Sequence, residues 1–338
     1  MEENFKIIEV KPGTADFDMF LQVPFNIYSD HSIRLKQAEN INYEFLQSAW
    51  VAFRFDVPVG RVALYNNPYL SYNGFPAVCV GNFECLNEQP MASALLSKSV
   101  EYVARLGKEY IIGPMNGSTW YDYRFSDHND QPQFLMEPKH PVFYNDLFSG
   151  FGFEPIAKYY SSIDRNLNTA DEGTDKKMEE FIRSGLLLRN INLSDYENEL
   201  QKIYDFSMRV FRNNFLFTPI SKEQFFEKYK YIDKMINPEY VLIAEDKSGN
   251  MKGLTFCIHD YYYTTSKCLI IKTMARDLSE EYKGLGNCMV NEVIKRAKVN
   301  GYESLIHAFY IKEGSSEKLS VNYKGEYYKS YTLYGLKL

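Results

Sequence analysis

Two stretches of this chain repeat each other at a single offset, and that repeat limits the possible folds more than any other feature. Setting Ala92 against Gly286 also sets Pro90 against Gly284, Leu96 against Val290 and Gly107 against Gly301, while Gly60 and Gly253 agree to within one residue. The order of elements around these anchors agrees as well, which a duplicated unit explains better than a chance matching of glycines. A length of 338 residues exceeds the usual size of one hydrophobic core. Two tandem domains are therefore expected, 1–165 and 180–338, joined by the polar stretch 164–179.

Periodicity assigns the elements. In the first half, 5–10 reads as a strand and 15–28 as a helix that Pro24 ends or kinks. Strands at 50–57 and 61–65 read as a hairpin around Pro58-Val59-Gly60. A strand at 77–83, a helix at 91–106 stopped by Gly107, and a strand at 110–112 follow. The second half reads as strand 186–191, helices 196–213 and 222–229, strands 240–244, 252–260 and 268–274, a helix after Gly284, and strands at 304–309 and 325–334. In the helix after Gly284, Leu285, Met289, Val290, Val293, Ile294 and Ala297 recur at three- and four-residue spacing, marking one buried face.

The turn ahead of that helix, Glu281-Tyr-Lys-Gly-Leu-Gly-Asn-Cys-Met289, is where the chemistry is expected. A helix start presents N–H groups without internal partners, and glycines let a ligand approach the backbone, so the turn is a potential anion site. It is not a P-loop, which needs four residues between its glycines followed by Lys and Ser or Thr. Nor is it a dinucleotide fingerprint, because Met289 stands where a third glycine belongs. What remains resembles the Q/R-x-x-G-x-G/A loop of the Gcn5-related N-acetyltransferase superfamily, with Glu281 in place of the usual Gln or Arg and Lys283 available as a cation.

The resemblance implies an α/β (α+β) fold of two tandem domains, each a mixed, mostly antiparallel sheet flanked by helices. It also implies that acetyl-CoA or another acyl-CoA binds the second domain. Met274, Ala275 and Arg276 would then pair with the pantetheine arm, and Lys283, Gly284, Leu285, Gly286, Asn287 and Cys288 would take the pyrophosphate. Tyr323 is the thiolate acid the family pattern favours, with Tyr310 as the other candidate, and Asp260 is the base or substrate anchor. His307 and Tyr310 would face the acceptor, a small-molecule or peptide amine. In the first copy Tyr144 would be the equivalent acid, but Pro90 removes a backbone N–H where a phosphate needs one, so that copy is expected to be degenerate. Trp120 and Tyr121 are candidates to line the acceptor pocket.

Composition excludes several other classes. With 38 basic and 44 acidic residues the formal net charge is −6, which speaks against a nucleic-acid partner. The five cysteines, Cys79, Cys85, Cys257, Cys268 and Cys288, lack C-x-x-C spacing and read as buried thiols of a reducing compartment rather than zinc ligands. No run reaches the ~18 apolar residues of a membrane span. The start lacks a signal-peptide pattern, so a cytoplasmic location without a membrane partner is expected. The residues leave the oligomeric state open, together with two other functions: a non-catalytic acyl-CoA-binding regulatory or scaffold protein, and an aminoacyl-tRNA-dependent peptidyl transferase.

Overall fold

The computed structural model describes residues 5–30, 37, 40–127, 130–167, 172–312 and 322–338; of the expected linker, 168–171 lie outside them. The first half runs β1 (Lys6–Val10), α1 (Phe17–Ile27), β2 (Leu46–Arg54), β3 (Val57–Tyr65), the short β4 (Ser71–Tyr72), β5 (Phe75–Cys85), α2 (Gln89–Leu106), β6 (Tyr110–Gly113), the short β7 (Phe125–Ser126), α3 (Tyr144–Phe151) and β8 (Glu154–Asp164). After α4 (Glu172–Arg183) the second half runs β9 (Leu187–Asn190), α5 (Tyr196–Val210), α6 (Lys222–Tyr229), β10 (Val241–Glu245), β11 (Met251–His259), β12 (Cys268–Arg276), α7 (Leu285–Val299), β13 (Ser304–Ile311) and β14 (Glu326–Lys337). This is a mixed, mostly antiparallel sheet flanked by helices. None of the described helices is long and apolar enough to cross a membrane.

The repeat appears in the packing. Gly60 lies beneath α2, where an added Cβ would meet Leu95 at 3.0 Å and Met91 at 3.4 Å; Gly253 lies beneath α7, where it would meet Met289 at 2.5 Å and Leu285 at 3.2 Å. Leu95 and Met91 stand against Met289 and Leu285 at the same offset that aligns the two glycine turns. Each glycine lets its helix approach the sheet more closely than a side chain would permit.

Local chemistry moved the expected hairpin turn and carried the first helix through its proline. The hairpin turns at Phe55 and Asp56, with φ of 47° and 63°, because two left-handed residues match the strand twist. Pro58 and Gly60 consequently lie inside β3. Helix α1 continues past Pro24 to Ile27. Pro24 has no N–H for the Phe20 carbonyl, and that carbonyl instead accepts from Arg61 Nη1 at 2.9 Å. Arg61 is itself fully buried and ion-paired with Glu84.

Strand β8 has no counterpart among the elements expected from periodicity, yet it determines how the halves join. The sheet order is β1-β2-β3-β5-β6-β14-β8-β13-β12-β11-β10-β9. The last strand of the chain, β14, pairs with β6 of the first half, and the last strand of the first half, β8, pairs with β13 of the second. Each half is completed by the other's final strand, and β8 and β14 pair with one another from Glu326↔Ile163 to Gly335↔Glu154. Deleting residues 326–338 should therefore abolish the folded transition of both halves together in scanning calorimetry. Survival of one unchanged transition would show that the halves fold independently.

Candidate functional site

Strands β12 and β13 pair in parallel over four positions, from Cys268↔Ser304 to Ile271↔His307, and pairing stops there although both strands continue. At the same level β12 carries a bulge: Thr273 opposes Phe256 and Ile271 opposes Cys257, leaving Lys272 unopposed. A bulge twists and re-aims a strand, and it coincides here with the start of a cleft of about 790 Å³. Residues 271–274 and 307–311 form the cleft's floor. Its walls come from the loop 119–124 of the first half and from Phe211, Phe215, Phe217 and Tyr229 of the second. Trp120 Nε1 donates to Thr218 O at 2.9 Å and fixes one wall, and Lys228 lies 4.5 Å from the ring centre of Tyr121.

Among the described residues, the second half therefore leaves an edge of β12 without a neighbouring strand. The first half does not. There β5 and β6 pair in parallel from Ala77↔Tyr110 to Cys79↔Ile112, and the following segment folds back onto β5. Met115 N–H donates to Val80 O at 2.8 Å, and Asn82 N–H donates to Asn116 Oδ1 at 2.8 Å. The space left at this place is about 20 Å³. Pro90 lies in the first turn of α2, and the neighbouring Gln89 side chain is tied to Leu147 O. Tyr144 is fully buried, with its hydroxyl accepting from Cys85 N–H at 3.1 Å and sharing a hydrogen bond with Tyr28 Oη.

The expected site residues fall into three groups. Met274, His307 and Tyr310 line the cleft. His307 is 4% exposed and its Nε2 has no hydrogen-bond partner among the described residues; burial lowers its pKa from 6.5 to about 4, so the imidazole is neutral near pH 7. Tyr323 sits beside it, with ring centres 6.3 Å apart, and donates to Asn287 O at 2.6 Å. Ala275 faces the opposite side of β12 among Val241, Ile243 and Leu254, and Arg276 Nη1 folds back onto the carbonyls of Asp277 and Ser279.

The turn residues form the second group. Gly284 has φ of 92°, a conformation that only glycine adopts freely, and caps α7. Gly286 is buried beneath Met274, whose sulfur would be 2.7 Å from an added Cβ. Leu285 is fully buried, Asn287 half-buried, and Lys283 exposed with Glu280 Oε2 at 3.2 Å. The Cys288 thiol points at Thr174 O on α4, and burial pushes its pKa up to about 11.

Asp260 stands apart. It is fully buried at the far end of β11, accepting from the N–H groups of Leu135 and Tyr262, and does not line the cleft. Its position explains its burial: it pins the first half's 130s loop to the second half's sheet. Sequence reasoning missed Arg124 and Phe309, which do line the cleft. Neither lies in a motif, and their environment is assembled from distant segments.

No family model and no curated protein sequence matches the chain. Solved structures do. A GCN5-related N-acetyltransferase from Sphaerobacter thermophilus superposes at a TM-score of 0.54 with 12% identity, covering 99% of this chain and 96% of that one. The tandem GNAT protein of the clavulanic acid biosynthesis pathway gives 0.53 with 8% identity and 98% of each chain. The chain has the tandem N-acetyltransferase fold. Eis1 from Mycobacterium abscessus is similar in the same way, at 0.55 with 9% identity over 98% of this chain and 73% of that one. At such identities the likeness is one of fold, and in a tandem acetyltransferase fold the open cleft of the second half becomes the place to look for chemistry.

The buried imidazole has a thermodynamic consequence. Between about pH 4 and 6.5 the unfolded chain binds one more proton at His307 than the folded chain, so stability rises with pH across that window and is fully present above it. His307→Gln should remove roughly 3 kcal/mol of the stability difference between the two ends of the window, as read by urea denaturation at each end. An unchanged difference would mean that His307 is not the group responsible.

Proposed function

We propose that the chain is an acyl-CoA-dependent N-acyltransferase, most simply an acetyltransferase, acting on a small-molecule or peptide amine in the second half's cleft. The observation that carries this is the unpaired edge of β12 beyond Ile271, with its bulge at Lys272, facing a cleft large enough for a ligand. A strand edge offers N–H and C=O groups that an extended amide-bearing arm can match. When bound, an acyl-CoA supplies an activated thioester carbonyl and a thiolate leaving group. The residues fit that group in part. Met274 joins the cleft to the start of α7, whose first N–H groups and dipole favour a phosphate, and Lys283 adds a cation. Glu280 and Glu281 oppose it.

The chain's own groups have distinct tasks. Neutral His307 presents an unpartnered Nε2 that can take the amine's proton directly or through water. Tyr323, fully buried behind His307 and outside the cleft lining, donates its hydroxyl proton to Asn287 O, and on this reading it serves a departing thiolate only once it leaves that carbonyl. On this reading 1–165 shapes the acceptor wall and 180–338 holds the thioester, with the final strands exchanged. The backfilled cleft of the first half supports a single site per chain. Five buried free thiols fit a reducing cytoplasm.

A second reading, a non-catalytic acyl-CoA binder, is favoured by one observation: Met274 covers Gly286, so the glycine pair is not open along its length. Calorimetric titration with acetyl-CoA and thiol release against an amine panel separate the two. Saturable binding with thiol release supports the enzyme, binding without release the second reading, and absence of binding sinks both. Tyr323→Phe should lower kcat by roughly 10- to 100-fold while the acetyl-CoA Kd changes little; an equal loss in both would assign Tyr323 to structure.

A further inference from the structure

The cleft contains a cation with an unusual environment. Arg124 is 4% exposed, and its backbone is fixed at φ 70° by its N–H to Pro114 O at 2.9 Å. The guanidinium carbon lies 4.3 Å from the ring centre of Tyr123, 4.5 Å from Tyr159, 4.4 Å from Phe309 and 5.7 Å from Tyr331. Ring faces stabilise a cation, but they do not satisfy the in-plane donors of the fork. Its one side-chain hydrogen bond among the described residues is from Nη1 to Tyr123 Oη at 2.7 Å, and Nε has no partner. Glu137, which Tyr331 reaches at 2.9 Å, is matched by Lys329 Nζ at 2.8 Å.

A guanidinium withdrawn from water with no carboxylate among the described residues is costly to maintain, and removing such a cost is what a ligand can do. The edge formed by Nε and Nη2 has the shape that takes a carboxylate in two parallel hydrogen bonds. Among the described residues the other charged groups lining the cleft are Lys228, Lys272 and Asp122, so with Arg124 there are three cations against one carboxylate. Arg124 stacks on Phe309, two residues beyond His307, so a small molecule can span from the guanidinium to the imidazole.

We propose that the acceptor is a small amine bearing a carboxylate, which Arg124 binds through Nε and Nη2 while the amine faces His307. This rests on the acyl-transfer reading above. Two readouts keep the two apart. Thiol release from acetyl-CoA is compared for amino acids and their carboxamides: glycine and glycinamide, 4-aminobutyrate and 4-aminobutanamide, phenylalanine and phenylalaninamide, lysine and lysinamide. The same pairs are compared by thermal shift without acetyl-CoA, which reads carboxylate recognition whether or not acyl transfer occurs. The expected result is that at least one carboxylate outperforms its carboxamide by about 10-fold or more in kcat/KM, or raises Tm where the carboxamide does not. Arg124→Gln should erase the preference with the acetyl-CoA Kd unchanged, and Arg124→Lys should retain part of it. If no pair discriminates in the wild-type protein in either readout, or if folded Arg124→Gln keeps the preference, the proposal is overturned; thiol release without discrimination leaves the acyltransferase reading standing alone.

Discussion

The hydrogen-bonded ladder between β8 and β14 holds this molecule together, because neither strand sits beside the elements that flank it in sequence. The open flanks of β6 and β13 carry backbone groups that need partners, and each half's last strand supplies the other's. The exchange reaches into the site. His307 opposes Ser162 of β8, and Phe309 N–H donates to Ser161 Oγ at 3.3 Å. Beyond His307 the register with β8 shifts, and Phe309 takes a φ of 62°. The strand that turns β13 away from β12 thus comes from the first half. The cleft belongs to the assembled sheet rather than to the second half alone.

The two copies of the unit diverge at one place. Both bring a helix down onto a glycine, both pair two parallel strands briefly, and both then interrupt the ladder. In the first half the interruption is closed internally by Met115 and Asn116, which supply the partners that Val80 O and Asn82 N–H require. In the second half no described strand does the equivalent for β12. The two halves thus differ in whether the segment after the parallel pair folds back onto the neighbouring strand, and the cleft lies in the half where no described segment does so.

Much of this was legible in the residues because it depended on local patterns. The glycine repeat aligned Gly60 with Gly253 and α2 with α7, and the shared contacts beneath both helices show that the alignment reflects packing. Strand β8 escaped because Lys158, Ser161 and Ser162 interrupt its apolar pattern; three polar residues of that strand, Ser161, Ser162 and Asp164, are buried instead of facing water. The Phe55-Asp56 turn escaped because Pro58 and Gly60 carry stronger turn signals than the residues that form it. Arg124 could not have been found, since its four rings come from residues 123, 159, 309 and 331 and no spacing announces that they meet. Asp260 was placed with the chemistry for standing at a strand end beside a histidine, and the loop it anchors is contributed by the other half.

The glycine turn itself changes meaning in the structure. Gly284 is required by its left-handed backbone, and Gly286 by the sulfur of Met274, which occupies the space a side chain would take. Both glycines are thus explained by the fold without any phosphate. The weight shifts to the backbone of β12, where packing offers no comparable explanation for strands that separate at Ile271 and His307 above a bulge. In the first half Met115 and Asn116 close the corresponding gap. Met274 then stands between that cleft and the start of α7, the span that the proposed thioester has to cross.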